Sequence, residues 1–183
     1  TATNYNASAN TDDGSCLMPF TGAIGDNCGG SIIFWLDGNG GGLIAAPSDQ
    51  SSGAEWGCYG TNITGAGGTA IGTGNQNTID IINANCTSSN GSPTAADICA
   101  NLTLGGYSDW FLPSKDELNE MYLNIGQGNA LGLAIYFGGF ANFFYWVSTE
   151  YDTNYAWSQL FPNGNPGLNK KYYLYKFRPV LVF

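Results

Sequence analysis

The clearest periodic pattern in the chain runs from Trp110 to Ile125, where an apolar segment is followed by a helical repeat. Ser114 and Glu117 have the spacing of a capping box, in which two side chains bind backbone N–H groups at the start of a helix. Apolar side chains then recur at the i, i+3, i+4 and i+7 positions of one helix face, namely Leu118, Met121, Tyr122 and Ile125. We therefore predict a helix that begins after Ser114 and packs this face against the core.

The other apolar segments predict short strands and helices around this central helix. Gly30–Leu36 and Leu43–Ala46 flank a glycine-rich turn and predict a β-hairpin. The remaining predicted elements are short helices over 78–85 and 94–104, a weaker helix over 130–136, strands over 143–149 and 155–161, a loop over 162–171 and a closing strand over 172–183. Pro179 places the closing strand at a sheet edge or a bulge.

Composition narrows the class of protein. Only 10% of the residues are charged, against about a quarter in typical domains, and the net charge is −9. Residues 1–114 contain no Lys or Arg, so a broad basic face for nucleic acid is not expected. No apolar run approaches the length of a membrane span. A surface rich in uncharged polar residues is typical of extracellular and particle-surface proteins.

The five cysteines point to disulfides in an oxidising compartment. The chain contains no histidine, which makes a zinc site improbable. We expect Cys86 to pair with Cys99 because they are close in sequence. We expect Cys28 to pair with Cys58 because the hairpin reaches towards the segment around Trp56. Cys16 then has no assigned partner.

Five Asn-x-Ser/Thr sequons offer sites for N-glycosylation, and they begin at Asn6, Asn62, Asn85, Asn90 and Asn101. In a chain this rich in Asn, Ser and Thr, chance alone also produces several sequons. Both interpretations stay open from the sequence.

The first twenty residues resemble a short Asn-Tyr-Asn…Asp-Asp-Gly-Ser-Cys repeat of secreted bacterial proteins. Asn10, Asp12 and Asp13 carry oxygen ligands of the kind that Ca²⁺ binds, and no other cofactor is expected. A linker of Asx-rich turns explains the same residues equally well. We predict that residues 1–20 lie outside a single domain over 21–183 and contact another copy or module.

Six motifs occur in an order that matches a known family, and they are the segments 29–34, 53–58, 72–79, 107–118, 145–151 and 177–183. Together they resemble the Lcl C-terminal domain family, named for a collagen-like adhesin of Legionella, and its Fibrobacter-type major paralogous domain relatives. The resemblance covers about residues 23–183. It implies an α+β, C-type-lectin-like fold with a small antiparallel sheet, a central amphipathic helix and long loops. It also implies a secreted or fibre-borne binding module.

Candidate catalytic groups are few, and two carboxylate pairs are examples of them. Glu117 and Glu120 are expected to face solvent on the helix. Glu150 and Asp152 share a face at a strand end and could act together in acid–base chemistry. Without histidine, a Ser-His-Asp or Cys-His arrangement cannot form. We therefore expect no enzyme.

A ligand or partner is expected on one face near the C-terminus, where tyrosines, asparagines and lysines concentrate. Its predicted residues are Tyr151, Asp152, Asn154, Gln159, Asn163, Asn165, Asn169, Lys170, Lys171 and Tyr173. Rigid aromatics and adaptable amides are typical of binding loops. An alternation of period two allows Tyr155 and Trp157 to lie in the core while their neighbours face outward.

Two function classes follow from these patterns. The first is an extracellular lectin-like adhesion module that recognises glycan or protein surfaces. The second is a structural subunit of an extracellular filament or phage-type fibre, which self-associates through its N-terminal tail. The sulfated-glycan binding of the Legionella adhesin depends on basic surface, so that ligand is not expected for this acidic chain.

Overall fold

The computed structural model of the protein describes residues 22–129 and 139–183. Within them the elements in chain order are β1 (Asn27–Cys28), β2 (Ser31–Leu36), β3 (Gly42–Ala45), α1 (Gly74–Asn83), α2 (Ala95–Ala100), α3 (Lys115–Ile125), β4 (Phe144–Glu150), β5 (Tyr155–Leu160), β6 (Asn165–Lys170) and β7 (Val180–Val182). The fold is α+β, as expected. The predicted tail over 1–20 and the predicted helix over 130–136 lie outside the described residues.

The central helix is confirmed as α3. The Ser114 hydroxyl accepts from the backbone N–H of Glu117, and the Glu117 carboxylate accepts from the backbone N–H of Ser114 at 2.7 Å. Leu118, Met121 and Ile125 are buried, while Tyr122 is half-buried. The periodic face therefore packs inward, as the pattern predicts.

Glu117 departs from the expectation that it faces solvent, because its side chain is fully buried. Its carboxylate also accepts from the backbone N–H of Gly72 at 2.8 Å, so it joins α3 to the loop before α1. Burial raises the pKa of Glu117, and the hydrogen bonds from the backbone oppose that shift. Glu120 is half-buried and does not share the site with Glu117.

The strands form two antiparallel sheets, with the orders β1-β2-β3-β7 and β4-β5-β6. The predicted hairpin is confirmed as β2 and β3. The predicted loop over 162–171 is wrong, because six of its residues form β6 in register with β5. Asn-Pro-Gly carries no strand signal, and Pro166 is compatible with a strand at the sheet edge. The closing strand is limited to the three residues of β7.

Helix α3 connects the two sheets. Its apolar face belongs to one buried cluster with Phe34 of β2 and Tyr145 and Val147 of β4. A second cluster surrounds Trp56 and includes the helices α1 and α2. The three-stranded sheet is therefore held from one side by α3, and its strands β5 and β6 extend towards the surface.

Both predicted disulfides are wrong. Cys58 is joined to Cys86 with a Cα–Cα distance of 4.9 Å, and Cys28 and Cys99 form no disulfide within the described residues. Cys99 is a free, fully buried side chain in the cluster around Trp56, and Cys86 in the α1–α2 loop is bonded to Cys58. Positive φ angles at Gly57 and Cys58 turn the chain towards that loop instead.

Candidate functional site

A continuous series of aromatic rings lies across one side of the three-stranded sheet. We call it the aromatic stripe, and it consists of Tyr59, Tyr172, Tyr173, Tyr175, Phe144 and Phe143. The ring centroids are 4.8 Å apart from Tyr59 to Tyr172, 5.1 Å from Tyr172 to Tyr173 and 5.8 Å from Tyr173 to Tyr175. The Tyr175 ring also lies 5.0 Å from Phe144 and 5.9 Å from Phe143. Tyr59, Phe143 and Tyr173 remain 49%, 43% and 39% exposed, although each touches another ring. Side chains of this size seldom stay exposed together without a binding role.

Backbone pairing fixes the middle of the stripe. Lys176 donates its N–H to the carbonyl of Phe144 at 3.2 Å and accepts from the N–H of Trp146 at 2.8 Å. Tyr175 exchanges two backbone hydrogen bonds with Ala54, at 2.9 and 3.1 Å. The chain before β7 is thus held between β4 and the segment around Ala54. The Tyr175 ring consequently stacks on Phe144 with an interplanar angle of 17°.

Polar groups lie beside the rings. Asn169 accepts from the Tyr175 hydroxyl at 3.0 Å, and its amide nitrogen donates to Ser158 at 2.8 Å. The ammonium of Lys170 lies 5.6 Å from the centroid of the Tyr172 ring. The side-chain hydrogen bond with Tyr172 raises the pKa of Lys170, so this lysine is charged at neutral pH. The stripe therefore offers stacking surfaces, an amide and one cation.

The ten residues predicted as a binding face do not share one face. Three of them, Asn169, Lys170 and Tyr173, lie on or beside the aromatic stripe. Tyr151 lies edge-on to Trp157 at 5.8 Å, on the side of the sheet that faces α3. The others belong to the two turns that flank β5 or to the interior.

The turns hold four of the remaining predicted residues. Asp152 accepts from the backbone N–H groups of Asn154 and Tyr155, at 2.7 and 2.8 Å, and so closes the β4–β5 turn. Asn163 accepts from the N–H of Asn165 at 3.1 Å in the β5–β6 turn. The Asp152 and Asn163 side chains therefore stabilise these turns, to which Asn154 and Asn165 contribute backbone N–H groups.

Lys171 and Gln159, the last two predicted residues, are buried. The Lys171 ammonium donates to Glu150 at 2.5 Å and to the carbonyl of Thr61 at 2.9 Å. Glu150 also accepts from the backbone N–H of Ile63 at 3.0 Å. Burial lowers the pKa of Lys171, and the hydrogen bond to Glu150 opposes that shift. Glu150 therefore pairs with a lysine, and the proposed acid–base pair with Asp152 is not present.

Arg178 is a second buried cation. Its guanidinium donates to Asp49 at 3.0 and 2.8 Å and to the carbonyl of Ala46 at 3.1 Å. Tyr145 also donates its hydroxyl to Asp49, at 2.9 Å. Burial is the main cause of the raised pKa of Tyr145. Two of the four C-terminal cations thus bind carboxylates inside the protein.

Tyr173 is the only stripe ring among the residues predicted from the sequence; the other five are Tyr59, Phe143, Phe144, Tyr172 and Tyr175. The adjacent aromatic pairs Phe143–Phe144 and Tyr172–Tyr173 were visible in the sequence, but only Phe144 lies in a strand, so the alternation of faces along a strand does not predict where the other three rings lie. Nothing in the local sequence around Tyr59 indicates that it meets Tyr172. That contact depends on how two distant segments fold together.

The remaining predicted sites are distributed as follows. The glycosylation candidates Asn62, Asn85, Asn90 and Asn101 are exposed. Asn6 and the calcium candidates Asn10, Asp12 and Asp13 lie outside the described residues. Over 22–129 and 139–183, no group of three or more acidic or cysteine side chains is placed to hold a metal ion. No helix in the same ranges has the length and apolar character needed to cross a membrane.

Comparison with known proteins places the chain in a family. No curated protein sequence matches it significantly. The sequence profile described as the Lcl C-terminal domain matches residues 47–181, a range that holds α3, β4, β5, β6 and the whole aromatic stripe. Because this match covers most of the chain, the protein belongs to the Lcl C-terminal domain family, an adhesin-type family of surface or secreted proteins and not a known enzyme family.

Proposed function

We propose that this protein is an extracellular adhesion module that binds neutral glycans through the aromatic stripe. The observation that carries the proposal is the continuity of six rings, three of them well exposed, on a scaffold fixed by backbone pairing. Rings that already pack against each other lose little conformational freedom when a ligand binds. The apolar faces of a sugar can stack on such rings while its hydroxyls bind neighbouring amides.

The charge distribution favours a neutral ligand over an acidic one. The chain has only five cations, and Lys171 and Arg178 are fully buried in ion pairs. Lys176 also lies 3.3 Å from Asp49. Lys170 is then the only cation beside the stripe that is not engaged with a carboxylate in the described residues. With a net charge of −9, the surface repels sulfated and other anionic ligands at long range.

The alternative function, a filament or fibre subunit joined through its tail, has less support. The outer strand β6 carries Pro166 and Lys170, and both residue types discourage strand pairing with another chain. The predicted tail contact involves residues outside those described. Sedimentation analysis at rising protein concentration separates the two functions. Stable ladders together with no glycan binding would favour the filament subunit.

A glycan array tests the proposal directly. The folded protein should retain neutral oligosaccharides, and the double variant Tyr59→Ala/Tyr173→Ala should lose most of that signal. Both side chains are exposed, so the fold should survive, and circular dichroism provides the check. Retention of sulfated glycans alone, or an unchanged pattern in the double variant, would contradict the proposal.

A further inference from the structure

A second surface feature lies on the opposite side of the three-stranded sheet. It is a cleft of about 250 Å³ between the first turns of α3 and the strands β5 and β6, and its lining includes Lys115, Asn119, Gln159 and Pro166. Gln159 is paired with Tyr145 on β4 and with Pro166 on β6, so these three residues share one face of the sheet. Asn169, which contacts the stripe, is paired with Ala156 and lies on the other face. The cleft and the stripe are therefore separate surfaces.

Gln159 supplies the observation that points to a ligand. The residue is only 4% exposed, and its Oε1 has no hydrogen-bond partner among residues 22–129 and 139–183. Its Nε2 donates to Asn119 Oδ1 at 3.1 Å and to the carbonyl of Gly164 at 3.0 Å. A backbone carbonyl only accepts, so reversing the Gln159 amide would set its oxygen against the carbonyl of Gly164. Gln159 is thereby left with a buried acceptor that needs a donor.

The start of α3 is not available to an anion. The N–H of Lys115 donates to Thr149 at 3.0 Å, the N–H of Asp116 donates to Thr69 at 3.0 Å, and the N–H of Glu117 donates to Ser114. All three first-turn donors are engaged, and the Asp116 carboxylate adds negative charge to the lining. The Lys115 ammonium is held 4.2 Å from the centroid of the Trp157 ring. An uncharged ligand fits this balance of charges.

We infer that the cleft binds a neutral polyhydroxyl group, such as one pyranose residue, which donates a hydroxyl hydrogen to Gln159 Oε1. Asn119 and Lys115 lie where they can contact neighbouring hydroxyls of the same ring. The cleft is a separate site from the aromatic stripe, so sugar binding at either one is tested independently of the other. A sugar-binding stripe and this cleft would give the domain two contacts on opposite sides of one sheet.

Titration of the ¹⁵N-labelled chain with methyl glycosides of glucose, galactose, mannose and N-acetylglucosamine tests the site. At least one glycoside should shift the side-chain amide signals of Gln159 and Asn119 in a saturable way at millimolar concentrations. Gln159→Met removes the acceptor at similar length and should weaken binding at least tenfold.

Asn119→Phe covers the case in which Gln159→Met fails to fold, because Asn119 is exposed on α3. Its ring should fill the cleft and abolish the shifts. The matched control Asn75→Phe, at an exposed position of α1, should leave them unchanged. Absence of saturable shifts with all four glycosides would overturn the inference, as would wild-type affinity in Asn119→Phe. Shifts confined to Tyr173 and its neighbours would also overturn it while supporting the stripe.

Discussion

Replacing Lys171 by methionine should destabilise the fold strongly and leave ligand binding to the folded protein intact. The substitution keeps most of the apolar length of the side chain but removes the ammonium that binds Glu150 and the Thr61 carbonyl. Glu150 then keeps a buried carboxylate whose remaining contact is the N–H of Ile63. Breaking a buried ion pair in this way costs about 3–5 kcal/mol in free energy of unfolding.

This loss is large compared with the stability of a typical domain, which is about 5–15 kcal/mol. For a chain of this length it corresponds to a fall in Tm of roughly 6–20 °C. Urea denaturation followed by tryptophan fluorescence measures it. The adjacent Lys170→Met is a matched control, because Lys170 has no carboxylate partner among residues 22–129 and 139–183, and its effect should stay within about 0.5 kcal/mol.

The double variant Lys171→Met/Glu150→Gln separates an unpaired charge from a packing defect. Removing the charge of Glu150 should recover part of the loss, with a coupling free energy of about 0.5–3 kcal/mol. A Lys171→Met protein of unchanged stability that no longer binds its glycan would show that the ion pair with Glu150 does not stabilise the fold. In that case Lys171 would be a ligand contact, as the sequence pattern predicts.

Other parts of the fold give further predictions. Glu117→Gln should lower the free energy of unfolding by about 1–3 kcal/mol, because Gly72 and Ser114 donate to different oxygens of Glu117 and an amide has only one oxygen. Glu120→Gln should change the free energy of unfolding little. Burial raises the folded-state pKa of Glu117 above its ordinary value of 4.5. Its contribution to stability is therefore fully present below pH 4.5 and declines as the pH rises through the folded pKa. Urea denaturation measured at several pH values should show this decline in the wild type and not in Glu117→Gln. Cys86→Ser opens a loop with a sequence separation of 28 and should lower stability by about 2–4 kcal/mol. Non-reducing peptide mapping should recover Cys58 linked to Cys86, and a peptide linking Cys99 to Cys86 would contradict the structure.

The sequence was most informative where structure is set by local interactions. The capping box of α3 and its apolar face involve residues within four positions of each other, so spacing alone predicted them. Strand β6 has a polar Asn-Pro-Gly start, and only its pairing with β5 makes it a strand. The disulfide likewise depends on a contact between Cys58 and Cys86, which are 28 positions apart in the sequence. Local patterns carry no information on these contacts.

The candidate site shows the same division. Tyr173, Asn169 and Lys170 were predicted because aromatic and amide residues cluster near the C-terminus. The sequence does not show which members of that cluster are buried. Lys171 was therefore predicted on the surface, although its side chain is buried and paired with Glu150. The aromatic stripe joins three segments of the chain, which contain Tyr59, Phe143 and Tyr172. More than eighty residues separate Tyr59 from Phe143 in the sequence, and Tyr59 contacts Tyr172 only in the folded chain.

A calorimetric comparison of two tyrosine variants measures whether the aromatic stripe is the glycan-binding surface. The neutral glycan with the strongest array signal is titrated into the wild type, Tyr173→Ala and Tyr151→Ala. Tyr173 lies on the stripe, whereas Tyr151 is more exposed, at 57%, and lies on the side that faces α3. We expect the affinity to fall at least tenfold in Tyr173→Ala, equivalent to about 1.4 kcal/mol, and to stay within twofold of wild type in Tyr151→Ala. Loss of binding in Tyr151→Ala with wild-type affinity in Tyr173→Ala would show that the glycan binds on the side of the sheet that faces α3 and not on the stripe.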